Sequence, residues 1–140
     1  MKKVYLAGPL FTPLERTLNL QLAILLEERF TVFLPQRDGL LLAGCELTRD
    51  QFIKACADVF SSDVRAIAEC DILLAVLDGR VIDEGVAFEL GYAHALGKLC
   101  IGYRTDSRVL LPQGLNPMIE CSLFARLASE ADVRIWMERQ

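Results

Sequence analysis

Apolar and polar residues alternate along this chain in two registers, and the change of register marks its elements. Val4–Ala7 is a short apolar run that ends at Gly8-Pro9, which reads as a buried strand. From Pro13 to Phe30 the spacing of Leu14, Leu18, Leu22, Leu25 and Leu26 is helical, an amphipathic helix of about four to five turns. Thr31–Leu34 is rich in strand formers and stops at Pro35. Gln36–Gly44 follows as a loop, because Gln36-Arg37-Asp38-Gly39 has the composition of a turn. Thr48 is placed to cap a helix to Phe60. Ser61-Ser62 interrupts it, and a second helical piece runs from Asp63 to Glu69. Ile72–Leu77 is continuously apolar, as a central parallel strand is.

After the break at Asp78-Gly79, a helix spans Glu84–Leu96 and closes on Gly97 at its C′ position. Leu99–Tyr103 is a fourth strand, Arg104–Gln113 a polar loop and Asn116–Glu120 one helical turn. Phe124–Ala128 is a fifth strand, and Ser129 caps a last helix to Glu138, with Asp132 as an imperfect capping-box partner. Strands and helices alternating in this way predict a single α/β domain over residues 1–140. Its architecture is a doubly wound, five-stranded parallel sheet flanked by helices, Rossmann- or flavodoxin-like. Ligands of such sheets bind beyond the carboxyl ends of the strands, where Gly8–Phe11, Pro35–Gly39 and Leu77–Glu89 would converge.

Composition narrows the function. Of 140 residues, 53% are hydrophobic and 24% charged, so a packed core is expected and disorder is not. The net charge is −4 and the longest basic run is Lys2-Lys3, which argues against a nucleic-acid polymer as partner. No apolar run nears the roughly 18–20 residues of a membrane span, and Val4–Phe11 contains Gly8-Pro9 and no cleavage pattern. No membrane partner and a cytoplasmic location are the expectations. The five cysteines, Cys45, Cys56, Cys70, Cys100 and Cys121, form no CxxC pair, and His94 is the single histidine. Buried free thiols are expected, with no metal. GxGxxG and Walker sequences are both missing, so dinucleotide and P-loop binding have no support.

The segment from Asp78 to Ala93 carries the chemistry. Glu89 falls in the second turn of its helix and leans back over Gly85, where the lack of a side chain leaves space for a ligand. The positive helix end favours an ionised carboxylate here, an effect that fades within a turn, and a low-pKa carboxylate suits a nucleophile better than a general acid. The alternative is a solvated surface glutamate. Asp83 is placed as an N-cap, a role compatible with accepting a sugar hydroxyl. Asp63 is either a helix cap or a second functional acid. Gly91 and Ala93 read as small residues for close helix–sheet packing. Gly8 permits a tight turn or a close ligand approach. Tyr5 reads as core, with a hydroxyl that needs a partner.

Taken together, four stretches resemble the nucleoside 2-deoxyribosyltransferase family. These are Tyr5-Leu-Ala-Gly8-Pro9, Asp63 eight residues before the Asp71 strand, Asp83-x-Gly85-x3-Glu89-x-Gly91-Tyr92-Ala93, and Asn116-x-Met118. The resemblance implies that Glu89 attacks the anomeric carbon, that Tyr5 orients it, and that Asp63 contacts and helps protonate the base. It further implies that Asp83 binds a sugar hydroxyl and that Asn116, with Met118 beside it, reaches the 5′-hydroxyl from a neighbouring subunit. Phe11 would line the base pocket, and Gln36 and Asp38 would contact the base, with Gly8 and Gly85 leaving room for substrate. Pro9 and Leu10 stand where some members carry Gly and Trp, and Glu84 adds an acid beside Asp83.

The implied partners are nucleosides and nucleobases, with no cofactor. The implied assembly is a homo-oligomer, a dimer or trimer of dimers. The competing readings are a hydrolase of deoxynucleoside 5′-monophosphates from the same superfamily and a non-catalytic nucleotide-binding module. Against the former, Asn116 suits a neutral 5′-hydroxyl, and the first loop has no Ser/Arg cluster.

Overall fold

The computed structural model describes residues 1–40, 42, 47–108, 111 and 114–140. Cys45, Gly44 and Gln113 therefore lie outside the described residues. Strands β1 (Lys3–Ala7), β2 (Thr31–Phe33), β3 (Ile72–Val76), β4 (Leu99–Tyr103) and β5 (Ala125–Leu127) form one parallel sheet in the order β2-β1-β3-β4-β5. The order reverses between β1 and β3. That places the topological switch at the carboxyl ends of these two strands, beside Gly8 and Leu77.

The strands are apolar throughout because both faces of the sheet are covered. Odd and even residues of β1 part company here. Val4 and Leu6 pack with Leu22, Leu26, Leu74, Val133 and Trp136, beneath α1 (Pro13–Leu26) and α6 (Glu130–Glu138). Tyr5 and Ala7 face the other way, onto Ile67, Leu73, Val86 and Leu90, beneath α3 (Arg49–Glu69) and α4 (Glu84–Ala95). This parity matters for function, since it sets the fully buried Tyr5 directly under the helix that carries Glu89.

Local signals explain most helix ends. Thr12 with Glu15 and Thr48 with Gln51 each close a complete capping box, and Asp83 accepts the N–H of Val86. Gly97 takes φ +70°, its N–H and that of Lys98 bonding the carbonyls of His94 and Ala93, which is a Schellman ending.

Several expectations need correction. Ser61-Ser62 does not interrupt: α3 runs unbroken through both, so Asp63 lies inside a helix and caps nothing. Serine's weak helix propensity is overridden by the packing of α3 against β1 and α4. Residues Pro35–Asp38 form a short helix, α2, where a loop was expected; Pro35 at its first turn has no N–H to lose. Helix α1 ends at Leu26 and not at Phe30, which turns back into the core. Gly91 is exposed with open space where a Cβ would be, so it serves no close packing, whereas Ala93 is fully buried.

Candidate active site

A cavity of about 580 Å³ opens at the carboxyl ends of β1 and β3, between the Gly8–Phe11 loop, α2, α3 and the start of α4. Its volume is in the range of small-molecule sites. Leu10, Phe11, Leu40, Leu42 and Val59 give it apolar walls, and Asp63, Asp83 and Glu89 supply three carboxylates. Gln36, Gly8, Gly85 and Arg16 also line it.

Tyr5 donates its hydroxyl to Glu89 Oε1 at 2.6 Å. The bond follows from the fold: the parity of β1 aims Tyr5 at α4, and Phe33 stacks on its ring with centroids 5.5 Å apart, fixing the phenol. Burial and the neighbouring Glu89 carboxylate push the Tyr5 hydroxyl far above its ordinary pKa, so it stays protonated and can only donate toward that acid. Gly85 leaves the space before Glu89 open, since a Cβ there would meet nothing within 4 Å except Asp83 Oδ1, at 3.1 Å.

The expectation that the helix end holds Glu89 at a low pKa is overturned. Burial is the largest influence and raises it to about 7; Asp63 and Asp83 add repulsion, and the Tyr5 hydrogen bond opposes them. The helix end contributes little two turns in. Asp63 is also raised, to about 6, by burial alone, and its buried Oδ1 has no hydrogen-bond partner among the described residues. The Asp63 charge in the same cavity couples to the Glu89 proton. Tyr5 donates to Glu89 and opposes its rise, yet Glu89, at about 7, still holds its proton more tightly than Asp63, at about 6. Between these two values one of the pair carries a proton and the other a charge. The arrangement therefore has the parts for substitution at an electron-poor carbon, a carboxylate base or nucleophile with a neighbouring acid.

The cavity brings together Glu89, Asp63, Asp83, Gly8, Gly85, Phe11 and Gln36 of the residues expected from sequence, with Tyr5 behind Glu89. Asp83 does cap α4, its Oδ1 accepting the Val86 N–H, while its carboxylate lines the cavity. Asp38 is placed elsewhere. It accepts the N–H of Leu34, pairs with Arg37, and faces a separate groove lined by Lys3, Phe33 and Arg65. Its carboxyl is lowered despite burial, by the Arg37 guanidinium and the Leu34 N–H. Asn116 and Met118 also lie outside this cavity. Both are exposed at a second depression lined by Arg80, Ile82, Arg104 and Ile119, where Asn116 Oδ1 caps α5 (Pro117–Glu120) through the Met118 N–H.

Besides the apolar wall residues, sequence reasoning missed Arg16 in the cavity lining and Asn19 behind it. Asn19 is 1% exposed in the middle of α1, and Arg16 is a cation lining the cavity, its guanidinium donating to the Leu10 carbonyl. A polar residue between Leu18 and Leu22, on the buried stripe of an amphipathic helix, was the available signal for Asn19.

The raised carboxyl of Glu89 links stability to pH. The folded state holds this proton more tightly than the unfolded chain does, so stability is full below the ordinary value near 4.5 and falls as pH rises toward about 7. Asp63 acts with the same sign between its ordinary 3.8 and about 6. Glu89→Gln keeps an acceptor for Tyr5 and removes the titration. It should be more stable than the parent at pH 8, by roughly 1–3 kcal/mol, and nearly equal to it at pH 4. Urea denaturation of both proteins at the two pH values checks this, and equal stability at pH 8 would contradict it.

Comparison with known proteins bears on the family and the fold. Residues 4–133 match the family model described as nucleoside 2-deoxyribosyltransferase. A 2-deoxyribosyltransferase from Bacillus psychrosaccharolyticus is 26% identical with a TM-score of 0.76, covering 94% of this chain and 89% of its own. A conserved protein from Enterococcus faecalis V583 is 25% identical with a TM-score of 0.74, covering 99% and 98%. The Clostridium botulinum CMP N-glycosidase BcmB shares the fold at 21% identity, TM-score 0.58, over 99% and 100% of the two chains. No curated protein sequence matches the chain. With a match along nearly its whole length and an α/β sheet like that of a characterised 2-deoxyribosyltransferase, the chain belongs to the nucleoside 2-deoxyribosyltransferase family.

Proposed function

We propose that this protein transfers 2-deoxyribose between nucleobases through a covalent deoxyribosyl-Glu89 intermediate. The observation that carries this reading is the Tyr5–Glu89 hydrogen bond at the base of a cavity that Glu89 shares with Asp63 and Asp83. In the first half-reaction a Glu89 carboxylate oxygen bonds to C1′ as the C1′–N bond breaks. The base leaves with the bonding pair and takes its proton from Asp63. In the second half, a nitrogen of the incoming base attacks C1′, its proton passes to Asp63, and the C1′–O bond to Glu89 breaks. Two displacements restore the configuration. Tyr5 holds the carboxylate and disperses its charge. Asp83 accepts a sugar hydroxyl. Phe11 and the leucines cover the base, excluding the water that would end the cycle as hydrolysis.

Asn116 enters this scheme only from a second copy of the chain, because within one chain it opens onto a different depression from Glu89. The proposed active unit is a two-fold dimer, alone or within a larger assembly, in which each subunit lends its exposed Asn116 and Met118 to the sugar 5′ end in its neighbour. The proposed location is the cytoplasm; among the described residues no helix is long and apolar enough to cross a membrane.

A second reading, hydrolysis of deoxynucleoside 5′-monophosphates, is favoured by Arg16, a cation at the cavity wall able to meet a phosphate.

Incubating the protein with deoxyinosine, with and without adenine, separates these readings by chromatography. Transfer gives deoxyadenosine only when adenine is present. Free deoxyribose whether or not adenine is present would mean hydrolysis, and a preference for deoxyinosine monophosphate would favour the second reading. Glu89→Ala should lower the rate by at least about a thousandfold, several kcal/mol of barrier.

Mixing Glu89→Ala with Asn116→Ala, each nearly inactive alone, should restore up to about one quarter of the parent activity. Half of randomly exchanged dimers are mixed, and each mixed dimer holds one whole site. No restoration after verified subunit exchange would remove Asn116 from the neighbour's pocket.

A further inference from the structure

Two backbone carbonyls fix a chain of amide groups at one wall of the cavity. The Pro9 carbonyl lies 2.9 Å from one atom of the Asn19 side-chain amide, and the Arg16 carbonyl lies 2.9 Å from one atom of the Gln36 amide. A carbonyl oxygen only accepts, so both of those atoms are nitrogens. The Gln36 oxygen then faces Asn19 and accepts its second N–H at 3.0 Å. Each orientation supports the other. Turning the Gln36 amide over would set its oxygen against the Arg16 carbonyl and its NH2 against that of Asn19, losing two hydrogen bonds at once.

Asn19 cannot turn either. It is 1% exposed, both its N–H groups are used, and Gly8 gives its oxygen room, since a Cβ on Gly8 would lie 2.5 Å from Asn19 Oδ1. Asn19 therefore ties the Gly8–Phe11 loop to α2, the two segments that bound this side of the cavity. Gln36 itself lines the cavity, and after these bonds it retains one N–H and one lone pair for a ligand.

We infer that Asn19 is a positioning residue that locks the Gln36 amide and so makes the pocket discriminate amino from oxo nucleobases. This rests on reading the cavity as a base pocket. The chemistry follows from the base edges. Adenine and cytosine present an exocyclic N–H donor beside a ring-nitrogen acceptor. Hypoxanthine and uracil present an exocyclic oxygen acceptor beside a ring N–H donor, which is the reverse order. An amide free to turn over pairs with either order. A locked amide pairs with one member of each couple and meets the other donor to donor and acceptor to acceptor, a mismatch that costs about tenfold or more in rate or affinity. Asn19 touches no substrate in this account; it acts through Gln36.

The test compares rate ratios. With one deoxynucleoside donor, the acceptor pairs adenine/hypoxanthine and cytosine/uracil are measured on the parent and on Asn19→Leu, a buried replacement of similar size. In the parent at least one ratio should depart from one by about tenfold or more, and in Asn19→Leu it should move close to one. Gly8→Ala, which presses on Asn19 Oδ1 while leaving the asparagine in place, should shift the same ratio in the same direction if Asn19→Leu fails to fold. The Gln36 side-chain amide protons should exchange slowly with solvent in the parent and faster in either variant. Transfer with both ratios unchanged in the variants, or with ratios near one in the parent, overturns the lock and leaves the transferase reading standing. If the parent neither transfers to any base nor binds one, the base-pocket reading itself falls.

Discussion

A phenol on the central strand reaches a carboxylate on the facing helix, and the rest of the site is arranged around that contact. Tyr5 can donate to Glu89 only because β1 points its odd residues at α4 and because Phe33, its register partner on β2, stacks on the ring. Gly85 is needed in turn, since the carboxylate must stay open to a ligand on the side that Tyr5 does not occupy. Helix α3 must run unbroken past Ser61-Ser62 for Asp63 to lie in the same cavity. One hydrogen bond 2.6 Å long thus joins the sheet's pleat, the helix packing and the chemistry.

Its electrostatic setting is costly to the free protein. Glu89, Asp63 and Asp83 crowd one cavity, and burial raises Glu89 to about 7 and Asp63 to about 6. The folded chain therefore gives up stability as these groups ionise, a strain held at the functional site. Burial of both groups leaves one proton and one charge to be shared between them near neutral pH, and Tyr5's single O–H opposes the proton on Glu89.

Much of this was legible in the chain. The apolar runs at Val4–Ala7, Ile72–Leu77 and Leu99–Tyr103 located the central strands because both faces of the sheet are buried, and Gly97 ended α4 as its position required. The acidic motif at Asp83–Glu89 was readable because spacing along a helix fixes direction. What sequence missed were matters of long-range environment. Burial determined the proton affinity of Glu89, and burial depends on how α4 packs on α3 and the sheet, which no local pattern reports. Ser61-Ser62 misled because propensity is weaker than packing. Asp38 was expected beside the base, but Arg37 and the Leu34 N–H hold it at another groove. Asn19 went unnoticed because its partners, Pro9 and Gln36, are ten and seventeen residues away and on different elements.

The central claim, that Glu89 bonds to the sugar, is tested most directly by trapping. Fluorine at C2′ of a deoxynucleoside slows both displacements, because it destabilises positive charge at C1′; an activated leaving base keeps formation of the glycosyl ester faster than its release, so that the ester accumulates when no acceptor base is supplied. Intact-mass spectrometry of the protein after incubation should show one fluorodeoxyribosyl group per chain, and peptide mapping should place it on Glu89. Glu89→Gln should remain unmodified. Release of base with no adduct and with inverted configuration at C1′, or an adduct on any other residue, would contradict the account.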